Sequence, residues 1–497
     1  MHTSGSVAAV DLGATSGRVI VGHVDHDGVR MEHVARFPNG PVPVWEGSRT
    51  ALHWDALDLH RQVVSGLRDA FGRHPDTASI GIDSWAVDYG ILRAGRITHE
   101  PYHYRDERND AASRSLLRKV GKEALYRRNG LQHLPFNTLF QLNADLRDGL
   151  LERGDRILLM PDLFGYWLSG VQVAERTNAS TTGLLDVGTG TWSEDLRWSL
   201  GLPAGLLPDL GTPGDAVGGL LPSVVHAVGG GASTPITLVG SHDTASAVVA
   251  VPATDPDFAY ISSGTWSLVG VELEAPVLTD AAREANCTNE GGVDGRVRFL
   301  KNVSGLWLLS ESVRTWERDG SSIDLEALLA SAAAVTAPVP VFDVADDVFT
   351  PPGDMPARIA AWCTEHGLSA PATPAEYVRS ILESLAAAYA ETLDTLVAVT
   401  GKDIRQVHIV GGGSQNRLLC QLTADRTGLP VVAGPVEATA LGNILVQARA
   451  IGAAGLGGAS LEALRHVVAR TIEPVRYEPS GTHSLAHSFL TRHRMSA

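Results

Sequence analysis

Cysteine is scarce, with only Cys287, Cys363 and Cys420 in a chain of 497 residues. An odd number at these distances supplies neither a disulfide framework nor the paired spacing of a zinc site, so all three are expected as free thiols. Long apolar runs are missing too. The string ILLMPDLFGYWL (157–168) is broken by Pro161 and Asp162, and nowhere do the roughly 18 uncharged residues of a membrane span follow one another. The opening MHTSGSVAAVDLGATSGR has no basic stretch ahead of an apolar core, which speaks for a cytoplasmic protein rather than a secreted one. Long charged runs are lacking as well. A net charge of −16 spread along the chain excludes nucleic acid as partner and requires any bound phosphate to be cradled locally. Aromatics at 6%, charged residues at 19% and apolar residues at 44% fit a globular enzyme, not a disordered or membrane class.

The length exceeds what one hydrophobic core usually serves and implies two domains of roughly 200–250 residues each. An apolar strand (7–11), the turn GATSG, a second strand, an Asp27-Gly28 turn and a third strand open the chain as a meander. The spacing then predicts a helix from about Trp54 to Phe71, with Leu57, Val63, Val64, Leu67 and Phe71 near one face. The strand SIGID (79–83) follows, and this alternation indicates an α/β class. FAYISSGTWSLVGVEL (258–273) reads as the opening hairpin repeated. A long helix is expected over about 375–399, begun after Pro374 and stopped by Gly401. VHIVGGG (407–413) then leads from a strand into another helix. The Gly/Pro-rich stretch 203–235 is the expected connection between domains, which are taken as 1–240 and 241–497.

Three glycine-rich turns, each after an apolar strand, are what a nucleotide site needs: backbone N–H groups hold phosphates, and Thr15, Ser16 and Thr265 add hydroxyl donors. Asp11 at the end of the first strand is the candidate ligand for Mg²⁺. Taken alone, GATSG is also an ordinary hairpin turn. No G-x-x-x-x-G-K-[ST] is present, and GGGSQN does not fit G-x-G-x-x-G, so the P-loop and dinucleotide readings fall away. PITLVGSHDTASAVVAV (235–251) places Ser241, His242, Asp243 and Thr244 at a helix start. A carboxylate there stays ionised and can accept the proton of an attacking hydroxyl. The same residue types are also preferred helix caps.

SIGIDSWAVDYGIL (79–92), LPFNTLFQL (134–142), LLMPDLFGYWLSG (158–170), SHDTASAV (241–248), SSGTWSLVG (262–270), TNEGG (288–292), LKNVSGLWLL (300–309) and IVGGGSQN (409–416) resemble the FGGY carbohydrate kinases through nearly the whole chain. The resemblance implies two ribonuclease-H-like domains of the actin-type ATPase fold with a cleft between them. It implies a first domain that mainly binds sugar and a second that mainly binds ATP, with Mg²⁺ as cofactor. The strings SHDTASAV and LKNVSGLWLL resemble those of one branch in particular, and the resemblance implies phosphorylation of the 1-hydroxyl of L-rhamnulose in rhamnose breakdown.

Carried over by position, the resemblance implies ATP contacts from Ala14, Thr15, Ser16, Gly17 and Arg18, from Thr265, from Gly412 and from Ser310, where relatives can place glutamine. It implies sugar contacts from Ala86, where glycine is usual, and from His242, Asp243, Thr244 and Asn302. Asp243 is the implied proton acceptor and Asp11 the metal-associated carboxylate. The cysteine pairs of some relatives have no counterpart at Cys363 and Cys420. Expected partners are a small ketose and ATP, with neither nucleic acid nor membrane, and a monomer suffices. Two alternatives remain open: a kinase of a related ketose such as L-fuculose or D-xylulose, and a non-catalytic sensor of sugar and ATP on the same fold.

Overall fold

The computed structural model describes residues 5–481. These pack as two units that are not consecutive along the chain. One comprises residues 5–254, 272–299 and 437–471, and the other 255–271, 300–436 and 472–481.

In the first unit the meander forms β1 (Gly5–Leu12), β2 (Ser16–Val24) and β3 (Val29–Pro38), followed by helix α1 (Ala56–Arg73) and strand β4 (Ile80–Ser84). The Gly/Pro-rich stretch contributes β5 (Ala216–Gly219) and β6 (Pro235–Thr237). The sheet order is β3-β2-β1-β4-β6-β5. β1 pairs antiparallel with β2 and parallel with β4, β6 is parallel to β4, and β5 is antiparallel to β6.

Alternate residues of β1 serve opposite faces, as the pleat requires. Ala8, Val10 and Leu12 join a core with Leu59, Val63, Leu67 and Phe71 of α1. Val7 and Ala9 meet Ala440, Ile444 and Ala448 of a helix from near the end of the chain. Val63, Leu67 and Phe71 thus face the core as expected, whereas Leu57 is 57% exposed and Leu59 is buried in its place. The inward stripe of α1 therefore runs through Ala56, Leu59, Val63, Gly66, Leu67 and Ala70.

Helix α2 (Asp243–Val249) leads to β7 (Phe258–Ser263) and β8 (Trp266–Leu273), and β9 (Thr288–Gly291) and β10 (Val297–Ser304) come next. Helix α3 (Trp307–Arg318) and the 27-residue α4 (Pro374–Thr400) precede β11 (Gln406–Val410), α5 (Arg417–Thr427) and β12 (Val431–Ala433). Helix α6 (Ala438–Ala450) and β13 (Val475–Tyr477) complete the set. In the second sheet the neighbours run β9-β10-β8-β7-β11-β12-β13. The pairing repeats the first sheet: an antiparallel hairpin β7/β8, β11 parallel to β7, β12 parallel to β11, and an antiparallel β13.

Helix α4 starts where Thr373 and Glu376 cap each other's backbone N–H and ends at Gly401 in the left-handed conformation. Its Tyr389 hydroxyl meets Ser267 Oγ of β8 at 2.6 Å. The three cysteines are free and buried, and among the described residues no helix is long and apolar enough to cross a membrane.

Within the first unit α6 and α2 touch backbone to backbone at Gly442, where an added Cβ would lie 1.8 Å from the Ser246 carbonyl oxygen. Gly442→Ala is expected to destabilise the protein by about 1–3 kcal/mol, the usual penalty of overpacking. A thermal melt that leaves the midpoint unchanged would contradict that contact.

Candidate active site

Strand pairing brings the carboxylates of the first unit together. Parallel register sets Asp11 of β1 level with Asp83 of β4. Antiparallel register sets Asp11 opposite Arg18 of β2. Arg18 donates from Nε to Asp11 Oδ2 at 2.9 Å and also pairs with Glu437 at 3.2 Å. Asn443 of α6 donates to Asp83 Oδ2 at 2.5 Å, while Asp83 Oδ1 is buried without a hydrogen-bond partner.

Burial raises the Asp11 carboxyl to about 6, with Arg18 pulling it back and Asp243 adding repulsion. Asp83 is raised well above the usual range, first by burial and then by Asp11. Two buried carboxylates side by side, one with an unused oxygen, form a hard-oxygen donor set that suits Mg²⁺.

The turn after β1 is compact. Gly13 N–H donates to the Ser16 carbonyl, and Asn39 bonds both Gly13 and Thr15 carbonyls. Ala14 is half-buried against the core, Thr15 is exposed, and Ser16 and Gly17 begin β2. Gly17 lies where a Cβ would meet the Phe37 ring at 2.2 Å, so its lack of a side chain is required by packing.

The end of β4 is coupled to the Ser241–Thr244 segment. Ser84 N–H donates to the Ser241 carbonyl at 2.9 Å, and Ser84 bridges His242 in parallel fashion. Ser241 is held through its N–H and hydroxyl by the buried Glu175. His242 is the N-cap residue of α2 and makes no side-chain cap bond; Asp243 is the first helical residue. Asp243 Oδ1 accepts from the Thr244 N–H at 2.5 Å and its hydroxyl at 3.1 Å. His242 Nε2 lies 3.4 Å from the same oxygen. The Asp243 side chain keeps 32% exposure against 1% for Asp11, so of these acids it is the one open to a ligand.

Ala86 is half-buried at a tight bend, where its carbonyl accepts from the Asp88 N–H and Val87 adopts φ 68°. A left-handed β-branched residue is strained, and such strain persists only where the surroundings hold it. Here Asp88, fully buried, accepts from Trp54 Nε1 (2.6 Å), Trp85 Nε1 (3.1 Å), Tyr104 N (3.1 Å) and Gln141 Nε2 (2.8 Å).

In the second unit Thr265 sits half-buried in the two-residue turn between β7 and β8. The Gly264 and Thr265 carbonyls accept from the Leu306 and Trp307 N–H groups. Asn302 is half-buried on β10 and Ser310 is exposed on α3. In the glycine run after β11, a Cβ on Gly413 would lie 2.0 Å from Ser263 Oγ, whereas nothing lies within 4 Å of one on Gly412. Packing on β7 thus requires Gly413, and the space beside Gly412 is open.

Asp83, Asp88, Glu175 and Asn443 are not singled out by sequence reasoning. The first two lie inside SIGIDSWAVDYGIL, where two acids set in an otherwise apolar and aromatic string were the available signal. Asn443 stands 360 residues from its partner Asp83, beyond any local pattern.

The model of the FGGY family of carbohydrate kinases matches this chain twice, its N-terminal domain at residues 6–250 and its C-terminal domain at residues 259–451. A rhamnulokinase of Pectobacterium carotovorum subsp. carotovorum (strain PC1) is 44% identical over 481 residues, covering 95% of this chain and 93% of that protein. One from Bacteroides thetaiotaomicron is 40% identical over 474 residues, covering 95% of each. Among solved structures, a ligand-bound xylulose kinase from Lactobacillus acidophilus superposes with a TM-score of 0.75 at 17% identity, covering 95% of this chain and 94% of that one. A Plasmodium falciparum glycerol kinase with ADP gives 0.73 at 14% identity, covering 96% and 94%. At such identities the structures speak for the fold alone.

Burial raises the Asp88 carboxyl from 3.8 to about 7 against the pull of its four donors. The folded state thus holds a proton that the unfolded chain releases, and the associated stability is full below about pH 4 and lost as pH rises through about 7. Tryptophan emission is expected to titrate with a midpoint near 7 in the wild type and to be flat there in Asp88→Asn. Identical curves for the two proteins would contradict the shift.

Proposed function

The chain belongs to the FGGY family of carbohydrate kinases, and we propose that it transfers the γ-phosphoryl group of ATP to the 1-hydroxyl of L-rhamnulose, giving L-rhamnulose 1-phosphate and ADP. The observation that carries this reading is Asp243, a carboxylate at a helix start, a third exposed, beside the two buried acids Asp11 and Asp83. The ketose follows from relatives at 40–44% identity along almost the full length.

In this mechanism Asp243 is the base. Thr244 occupies its Oδ1, so Oδ2 is the oxygen that takes the proton as O1 of the ketose bonds to the γ-phosphorus and the bond to the β-γ bridging oxygen breaks. His242, Thr244, Asn302 and the backbone at Ala86 orient the sugar. The turn from Ala14 to Arg18, with Thr265 and Gly412, holds ATP, and exposed Ser310 stands where a longer side chain reaches it in relatives. Phosphoryl transfer asks for positioning and charge neutralisation more than covalent chemistry. Asp11 and Asp83 would hold Mg²⁺, directly or through water, and that ion would neutralise phosphate charge. Arg18 holds Asp11 in place meanwhile. The supply of ATP places the reaction in the cytoplasm. The sensor alternative has no use for a base that is a third exposed at position 243.

Asp243→Asn keeps the shape but cannot take the proton. Turnover is expected to fall by roughly 10² to 10⁴, with the melting midpoint and ATP binding retained. Near-normal turnover would return Asp243 to a purely structural role at the start of α2. In a coupled ADP-release assay L-rhamnulose should be turned over fastest, and activity should vanish when Mg²⁺ is chelated. Equal rates with L-fuculose, D-xylulose or glycerol would overturn the ketose assignment.

A further inference from the structure

Behind the sugar-facing side of His242 lies a buried charge that the reaction itself does not use. Arg298 of β10 is fully buried, and its Nε donates to the Gly291 carbonyl at 2.9 Å. Its terminal nitrogen lies 3.0 Å from His242 Nδ1. Glu290 of β9, itself buried, stands 3.2 Å from that same guanidinium nitrogen and 3.3 Å from His242 Nδ1. On the other side of the imidazole, Nε2 lies 3.4 Å from Asp243 Oδ1. The backbone of His242 is fixed as well, its N–H donating to Thr177 Oγ1, which in turn donates to Glu175.

A guanidinium has donors and no acceptor. A ring nitrogen 3.0 Å from one, along its N–H, must therefore present a lone pair, and in a neutral imidazole the proton then resides on the other nitrogen. We infer that Arg298, neutralised by Glu290, is a positioning residue that holds His242 as the Nε2–H tautomer, so that its one N–H points toward Asp243 and the ketose. The consequence is chemical. A His242 proton on Nδ1 would turn a lone pair toward the Asp243 carboxylate and repel it. A proton on Nε2 orients that carboxylate and leaves it ionised. A metal-bound histidine is fixed in the same way by the partner of its second nitrogen; here a buried arginine supplies the constraint, and the ring faces a substrate instead.

This inference rests on the proposed roles of Asp243 and His242, so its test separates the two. In ¹⁵N-histidine-labelled wild-type protein held above neutral pH, the His242 signals, identified by their loss in His242→Gln, should show an unprotonated Nδ1 and a protonated Nε2. The opposite tautomer, with Nδ1–H directed to Glu290, or an imidazolium, would overturn the inference whatever the substrate is. In Arg298→Met, kcat with L-rhamnulose should drop roughly 10- to 100-fold, the scale on which outer groups that orient a functional side chain act, while KM for ATP stays within about twofold. Arg298→Lys, which also only donates, should recover part of the loss. A folded Arg298→Met with unchanged kcat would overturn the inference, and if that variant does not fold the wild-type tautomer decides. Wild-type protein inert toward every ketose but showing the Nε2–H tautomer would refute the functional reading and leave the geometry of Arg298 intact.

Discussion

Two aspartates in register on adjacent parallel strands are the constraint around which the first unit is built. Asp11 and Asp83 are both buried, and unpaired carboxylates cannot be removed from water side by side without raising the proton affinity of at least one. The chain answers with Arg18 from the hairpin partner strand and with Asn443 from α6. The second answer comes from far along the chain. Helix α6 reaches the acids only because Gly442 lets it lie directly on the Ser246 backbone, and its Ala440, Ile444 and Ala448 cover one face of the sheet. The same helix therefore completes a hydrophobic core and supplies a hydrogen bond to a buried carboxyl.

The topology is used twice with different chemistry. Each sheet has an antiparallel hairpin, a parallel strand beside its first member, a second parallel strand and an antiparallel edge. The first hairpin closes on Asp11 and Arg18. The second closes on Ser262, Ser263 and Ser267, with Gly413 against Ser263 and the Tyr389 hydroxyl on Ser267. One framework thus sets two buried acids side by side, an oxygen donor set that suits a cation, and the other leaves open space beside Gly412 at the end of β11.

A shell of buried polar residues holds the Ser241–Thr244 segment by its neighbours. Ser241 hangs on Glu175, Thr177 receives the His242 N–H, and Ser84 takes the Ser241 carbonyl. Asp243 itself is left with Thr244 and His242 as its contacts. Rigidity is thereby placed one residue away from Asp243, the group proposed as the base, which keeps the carboxylate positioned without burying it.

The amino-acid sequence by itself determined the hairpin and its repeat, the stop of α4 at Gly401, the helix start at SHDT and the turns rich in glycine. Each of these rests on turn chemistry, capping or periodicity within about ten residues, and such forces act before the chain is packed. The resemblance of whole strings to one kinase family added the identity of the acids to watch. Only the tertiary structure decided that Leu57 faces solvent and Leu59 the core, because the phase of a helix against its sheet depends on what covers it. It alone decided which partners reach the buried polar groups: Arg298 is 56 residues from His242 and Asn443 is 360 from Asp83. Desolvation and pairing at such separations arise from the register of strands and the contact of helices, which no local pattern of residues records.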